Sequence, residues 1–462
     1  MKREISRRNF LATSTGAVAS VTLLGTSMFD ARATLAVPSH VRRDLGGMSP
    51  TDTILLSYAK AIRAMKTLPN TNPLSWCYQA AIHGTLLSDH MTAWNTCHHY
   101  DRFFWPWHRM YLYWFERIIR KIADDQNWAL PYWDYASPSQ RMLPAPFRDS
   151  TSPLYVANRG PHWNDGTASL SPEDVHYSLV LQSFNAVNAL IQQGVHASVH
   201  KKVCGLMGNT ATAAQDPIFF VHHSNIDRLW DMWLAQGSAY ANPLHDGTWK
   251  IPKFTFFNED GHPVEMSACD VLRAQQQLGY SYEGEPPQAS ESCLELGGPP
   301  WTFSEKVLAQ WPITNVEWTD KMFSFQIVLT DKLKEQIALV LIHKNQTLFL
   351  QLDQVDADNP PCLVWSVFVG LPGNASVDPQ GASFVGTFAL FGSSHESASA
   401  KFIFLINSAI AAMGTNTGVV AVKLIPHGAL INGNSSPPDV ESPVPIRRAS
   451  LIVETKKTNK QH

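Results

Sequence analysis

Two histidines four residues apart, His196 and His200, stand upstream of Asp216-Pro-Ile-Phe-Phe-Val-His222-His223-Ser-Asn-Ile-Asp227-Arg228-Leu-Trp230. On a helix that spacing sets both imidazoles on one face, a turn apart, within reach of a single metal ion. A third imidazole from His222-His223, on a second helix, completes a three-histidine site with a position left open for a small ligand. Asp227 follows His223 by one turn and can lie beside that ring to orient it. Earlier in the chain, His83, His99 and His108 form a candidate second triplet. All six donors are neutral imidazoles with no carboxylate among them, which argues against magnesium, calcium and di-iron carboxylate sites and towards copper. The residue after His196 is Ala197, where zinc proteases carry the glutamate that serves as general base.

These ligands need helices to carry them. Thr51 to Lys66 reads as an amphipathic helix with an acid near its start and Ile54, Leu55, Tyr58, Ile62 and Met65 on one stripe. Ser75 to about Ile82 is a shorter helix that delivers His83. Trp105-Pro106-Trp107-His108-Arg109 opens a longer one, with Pro106 in the first turn, where its missing N–H costs nothing. There His108, Leu112, Phe115 and Ile119 share the apolar stripe, with Arg109, Glu116 and Arg120 more outward. The sum is a mainly α core domain, a four-helix bundle holding a metal pair.

The chain has 462 residues, enough for two or three domains. Its net charge of -3 and charged fraction of 16% point to no nucleic-acid or acidic-substrate partner. Eleven of fifteen tryptophans precede residue 285, which fits an aromatic-lined pocket in the first domain. The cysteines at 77, 97, 204, 269, 293 and 362 form no CxxC pair, so no structural zinc site is expected, and spacing does not pair them.

Residues 1–33 read as a targeting segment. Ser6-Arg7-Arg8-Asn9-Phe10-Leu11 is a twin-arginine signature, followed by a weakly apolar run ending in Ala31-Arg32-Ala33. This implies export to the periplasm or beyond in folded form, with no stable membrane association after cleavage. The core domain spans 34–285. Residues 286–305, rich in Pro, Gly, Ser and Glu, read as a linker. Residues 306–456 change to alternating patterns at 322–329, 347–352, 363–369 and 419–425, a small β-sandwich.

These motifs together resemble the tyrosinase and polyphenol oxidase family of coupled dicopper proteins. The resemblance rests on His83, His99 and His108 in His-Tyr-Asp-Arg-Phe-Phe-Trp-Pro-Trp-His-Arg-Met-Tyr-Leu, and on His196, His200 and His223 before Asp-Arg-Leu-Trp. Leu130-Pro-Tyr-Trp-Asp-Tyr135 and Tyr280-Ser-Tyr282 match further family segments, and Arg42 or Arg43 would stack on the latter. The family pattern and the nine-residue spacing to His108 favour His99 over His98, and the family uses the second of His222-His223. His90, His162 and His176 are set aside as ordinary histidines. The resemblance implies two copper ions with dioxygen as co-substrate, and a small phenolic substrate oxidised from o-diphenol to o-quinone. Some members carry a thioether at this position, which here would join Cys97 to the His99 ring. Members that hydroxylate monophenols use a Glu and an Asn to place a water. The Asn position is Ala197 here, and upstream stand only Asn185, Asn188 and Gln192, so monophenol hydroxylation is expected to be weak. Phe219, or Met207 and its loop to Ala214, would shape the pocket mouth. Ser383-Phe-Val-Gly-Thr-Phe388 resembles the plant-type C-terminal domain, which covers the copper site in latent enzymes. Reversible dioxygen binding is the rival reading from another class. Oligomeric state is not legible.

Overall fold

The structure is a computed structural model that describes residues 39–88, 91–288, 291, 293, 301–314, 317–319, 322–354, 362–371, 377–392, 400–414, 417–427 and 446–458. The targeting segment, His90 and much of the expected linker lie outside these residues. Residues 36–462 cluster as one compact unit.

Helix α1 (Thr53–Met65) starts where the Asp52 carboxylate accepts the Ile54 N–H, and it buries Leu55, Tyr58, Ala61, Ile62 and Met65. Helix α2 (Trp76–His83) is capped by the Ser75 hydroxyl, which accepts from Tyr78 N–H, and it ends on His83 itself. Helix α3 (Phe104–Ala123) carries Pro106 in its first turn and closes on Asp124 in the left-handed conformation. Helices α4 (Phe184–Ile191) and α5 (Ala197–Val203) are joined through a π turn at Gln192–His196. Helix α6 (Ile218–Leu234) begins after Asp216, whose carboxylate accepts the Ile218 N–H at 3.1 Å and forms a buried two-point pair with Arg159, each bond 2.8 Å. That pair fixes the start of α6, and so the place of His222 and His223 one turn later.

Arg109 and Glu116 of α3 differ from the expectation. Both are buried, within a charged network rather than on an outer face. Arg42 on β1 (His40–Arg42) bonds Glu116 at 2.8 Å and Asp227 at 3.1 Å, and Arg109 bonds Asp227 at 2.5 Å and Asp231 at 2.7 Å. Charges at the core are tolerated because each meets an opposite charge with hydrogen bonds in place. Arg42, not Arg43, packs on the tyrosine pair, its guanidinium carbon 3.6 Å from the Tyr280 ring centre. A short hairpin, β2 (Lys253–Phe257) with β3 (Pro263–Ser267), then leads to β4 (Tyr280–Tyr282), which pairs in parallel with β1.

The C-terminal part forms two antiparallel sheets. The first runs β10 (Phe384–Phe388), β9 (Val364–Val369), β12 (Val419–His427), β7 (Met322–Val328), β6 (Glu317–Thr319). The second runs β11 (Lys401–Leu405), β8 (Gln346–Gln354), β13 (Ile446–Thr458), β5 (Trp301–Pro312). β5 begins at Trp301, inside the stretch read as linker. Phe323, Phe325 and Ile327 face the core between the sheets, as their alternation requires. Strand β11 differs: Phe402 and Phe404 enter the sandwich core while Ile403 and Leu405 pack on the helical core. A strand apolar on both faces does not alternate, which explains why its sequence was silent.

Glu454 on β13 is buried where the two parts meet. Burial, then Glu305, push its carboxyl up to about 7, against the pull of the Ser183 hydroxyl. The folded state therefore keeps a proton that the unfolded chain has already lost, and this contribution is full below the ordinary value of 4.5 and lost as pH rises through about 7. Glu454→Gln should leave the protein more stable than wild type by roughly 1–3 kcal/mol at about pH 8 and little changed at about pH 5, read by thermal melting.

Candidate metal centre

Four helices, one π turn and one loop bring the histidines together. His83 ends α2, His99 sits in the following loop, His108 lies in the second turn of α3, His196 closes the π turn, His200 is on α5 and His223 on α6. Within the first expected triplet, ring centres are 5.2 Å (His83–His99), 5.8 Å (His83–His108) and 5.3 Å (His99–His108) apart. Within the second they are 4.7 Å (His196–His200), 4.9 Å (His196–His223) and 5.4 Å (His200–His223). The triplets face each other, with His108 stacked on His223 at 4.4 Å and His99 on His196 at 5.6 Å. Donor atoms lie within 4.8 Å of one another in three groups: His83, His108 and His223; His83, Cys97 and His99; and His196, His200, His222 and His223. His223 thus bridges the two halves.

Most of these rings are held from behind. The Nδ1–H groups donate to backbone carbonyls: His83 to Thr210 at 3.1 Å, His108 to Phe104 at 2.7 Å, His196 to Gln192 at 3.1 Å and His200 to Met207 at 3.0 Å. Such bonds fix the tautomer with a bare Nε2 lone pair. The Nε2 atoms of His99, His108 and His196 are buried with no hydrogen-bond partner, an arrangement that costs free energy unless a metal accepts the lone pairs. Burial first, then the neighbouring imidazoles, hold His99, His196, His200 and His223 well below the ordinary histidine value, and burial takes His108 down to about 3. Neutral, aimed imidazoles with no carboxylate in the set fit two copper ions.

The neighbouring histidines now separate. His98 is part-exposed and bonded to Asp101 at 2.6 Å, away from the cluster. His222 was set aside in the sequence, yet it is fully buried, stacked on His196 at 5.6 Å, with Nδ1 on the Tyr135 hydroxyl at 3.0 Å. His162 pairs with Asp165, and His176 packs on Phe384.

Asp227 needs a correction. Its carboxylate turns away from His223 to Arg109, Arg42, Tyr280 (2.6 Å) and Tyr282 (2.6 Å), and His223 Nδ1 has no partner. Two guanidiniums outbid one neutral imidazole for a buried anion. Burial alone would push the Asp227 carboxyl up; Arg109, then Arg42 and the tyrosine hydroxyls, hold it below its ordinary value. Met207 acts through its carbonyl on His200. Phe219 is buried against His223 (4.2 Å) and His83 (4.8 Å), and Ala197 is buried on α5. Cys97 belongs to neither disulfide, and its Sγ lies 3.4 Å from His99 Nδ1.

Among the described residues, the β part reaches this centre with the ring of Phe391. Phe391 stacks on the His200 ring at 3.8 Å and 12°, and lies 5.4 Å from His196 and 5.5 Å from His99. The Tyr100 hydroxyl accepts from Phe391 N–H at 3.2 Å and donates to the Ala389 carbonyl at 3.3 Å; Gly392 N–H donates to the Thr210 hydroxyl at 2.9 Å. Gly392 has φ +98°, and a Cβ there would lie 2.7 Å from the His99 Cβ. The Gln193 side chain bonds both the N–H (2.8 Å) and the carbonyl of Ile403 on β11. No sequence signal singles out Phe391, because its role depends on how the two parts dock.

Residues 73–178 and 162–236 match the common central domain of tyrosinase, and residues 244–290 the polyphenol oxidase middle domain. The chain carries a tyrosinase-family central domain followed by a polyphenol oxidase middle domain. This family comprises type 3 copper oxidoreductases, and the histidine clusters suit its dicopper cofactor. The chain is 34% identical over 294 residues to tyrosinase HcTyr1 of Hahella sp. strain CCB-MM4, covering 52% of this chain and 62% of that one. It spans about half to three-fifths of the length of the curated relatives it matches. Its fold is similar to latent apple tyrosinase, with TM-score 0.61 and 22% identity over 90% of this chain and 96% of that one. A functional unit of octopus hemocyanin shares the fold at TM-score 0.53 and 15% identity, over 90% and 99% of the two chains.

Two substitutions separate the neighbouring histidines. His99→Ala should reduce bound copper from two ions per chain towards one, whereas His98→Ala should keep both, read by metal analysis after dialysis. Asp227→Ala should lower unfolding stability by roughly 3–5 kcal/mol, because it strands Arg42 and Arg109 in the core, read by urea titration.

Proposed function

We propose that this protein oxidises o-diphenols, and o-aminophenols of similar shape, to the corresponding quinones, with two substrate molecules consumed for each dioxygen reduced to water. The observation that carries this is the double imidazole cluster with its Nε2 lone pairs converging beside one aromatic ring. His83, His99 and His108 would hold one copper, and His196, His200 and His223 the other; the copper pair supplies the two-electron chemistry with dioxygen. The protein's own residues do the rest. Backbone carbonyls of Thr210, Phe104, Gln192 and Met207 keep the ring faces fixed, and the His200 face, now covered by Phe391, is where a phenol ring would stack.

Phe391 makes the form described here a latent one. Its ring occupies the place a substrate ring needs, and the similarity to a latent apple tyrosinase supports that reading. Monophenol hydroxylation should be weak, because Ala197 offers no polar group and the histidine clusters include no carboxylate among the described residues. The Cys97 sulfur, beside the His99 ring, is placed to form a thioether that would lock that ligand's rotamer. Twin-arginine export to an oxidising compartment is supported by two disulfides, Cys204–Cys362 and Cys269–Cys293. No helix among the described residues is long and apolar enough to cross a membrane.

Oxygen uptake by copper-loaded protein tests the reading. Phe391→Ala should raise turnover of 4-methylcatechol about tenfold or more, since truncating a buried Phe costs about 3–5 kcal/mol of docking and 1.4 kcal/mol is already tenfold. Tyrosine should be turned over slowly in both forms. Copper and oxygen binding without catechol turnover in the variant would replace this reading with reversible dioxygen carriage, the second reading that the hemocyanin-like fold favours.

A further inference from the structure

The disulfide Cys204–Cys362 joins the helical part to the β part across 158 residues of sequence. Cys204 ends α5, its N–H donating to the His200 carbonyl at 3.0 Å. It also opens the loop whose Met207 and Thr210 carbonyls hold His200 and His83. Cys362 precedes β9, the strand paired with β10, and β10 leads directly into Phe391. The bond therefore ties the ring that covers the centre to the loop that positions the centre. Its two cysteines are each half-buried, within reach of a small thiol. The other disulfide, Cys269–Cys293, closes 24 residues just before the β part.

These positions decide what a broken backbone can do. A cut between residues 269 and 293 leaves the β part joined to the helical part through both disulfides. A cut between 293 and 301 leaves it joined through Cys204–Cys362 alone. In either case redocking stays intramolecular, and a tether of this length keeps the local concentration of the covering segment high. The hydrogen bonds that the Phe391, Ile403 and Gly392 N–H groups donate to Tyr100, Gln193 and Thr210 then re-form each time it closes.

We propose that Cys204–Cys362 is a redox lock on the covering segment, so that release of Phe391 requires reduction of this bond in addition to a backbone cut. A dithiol reductant supplies the chemistry. Its thiolate attacks one sulfur, forming a mixed disulfide, and the other cysteine leaves as a thiolate that takes up a proton. The second thiol of the reductant, as its thiolate, then attacks the reductant sulfur of the mixed disulfide, and the remaining protein cysteine leaves as a thiolate that takes up a proton. The protein gains two electrons and two protons as two thiols, and the reductant departs as its own disulfide.

The proposal rests on the latent reading above, and its primary test is independent of phenol oxidation. The full chain is given a protease site between Cys293 and Trp301, cut, and passed over a size-exclusion column with and without dithiothreitol. The cut, oxidised protein should elute as one species of full mass, and the cut, reduced protein should separate into two. Cys362→Ser should separate after cutting with no reductant present. Separation of the oxidised wild type would overturn the lock, and so would persistence of a single native species after full reduction. If Cys362→Ser fails to fold, the two wild-type arms still decide. Oxygen uptake with 4-methylcatechol is then measured on the separated, copper-loaded helical part. If the fragments separate as stated but uptake does not rise, the lock stands and the phenol-oxidase reading fails.

Discussion

Burying seven imidazoles against one another is the constraint on which the rest of this structure depends. Each ring lowers its neighbours' affinity for protons, and removal from water lowers it further. The lone pairs stay available, but neutral rings can also turn and satisfy one another, as the 3.2 Å approach of His200 Nε2 to His223 Nε2 illustrates. What prevents collapse of the cluster is the row of carbonyl acceptors behind it. All four come from irregular backbone or element starts: Phe104 opens α3, Gln192 opens the π turn, and Met207 and Thr210 lie in the loop after Cys204. The rings are thus held from turns, loops and the first residue of a helix rather than from helix interiors.

A second constraint stabilises those helices against one another. Arg42, Glu116, Arg109, Asp227 and Asp231 come from β1, α3 and α6, and Tyr280 and Tyr282 from β4 close the network. A wholly apolar core could be as stable. A charged network, however, tolerates little sliding, because a shift of one ångström breaks several bonds at once. Helices α3 and α6 carry His108 and His223, whose rings stack at 4.4 Å, so this rigidity sets the distance across the centre.

Much of this was legible in the sequence, for a physical reason in each case. His196 and His200 declared themselves by helical spacing, and His83 by the short helix expected just before it. His99 was favoured over His98 by the family pattern together with the nine-residue spacing to His108, and the two differ in the structure: His99 is buried in the cluster, while His98 meets Asp101 near solvent. Arg109 and Glu116 misled because a charged residue on a helix reads as exposed until its partners are known, and those partners lie 74 to 122 residues away. Asp227 misled similarly, since spacing along one helix says nothing of stronger claimants from other elements. His222, Phe391 and the Cys204–Cys362 pairing were silent, because each depends on docking between segments distant in sequence.

The π turn at Gln192–His196 has a consequence of its own. A residue in an α-helix rotates the direction of everything after it by about 100°, so one extra residue in a turn is an angular adjustment. Here the adjustment lies between Phe184–Ile191 and the metal-facing His196 and His200, and Gln193 within it grips Ile403 of the β part. The same five residues thus set two bearings at once, one towards the metal centre and one towards the covering sheet. Shortening the turn by one residue would restore a regular helix and swing His196 out of line with His99. Metal site and cover are tied to a single phase of one helix, and neither can be re-aimed without the other.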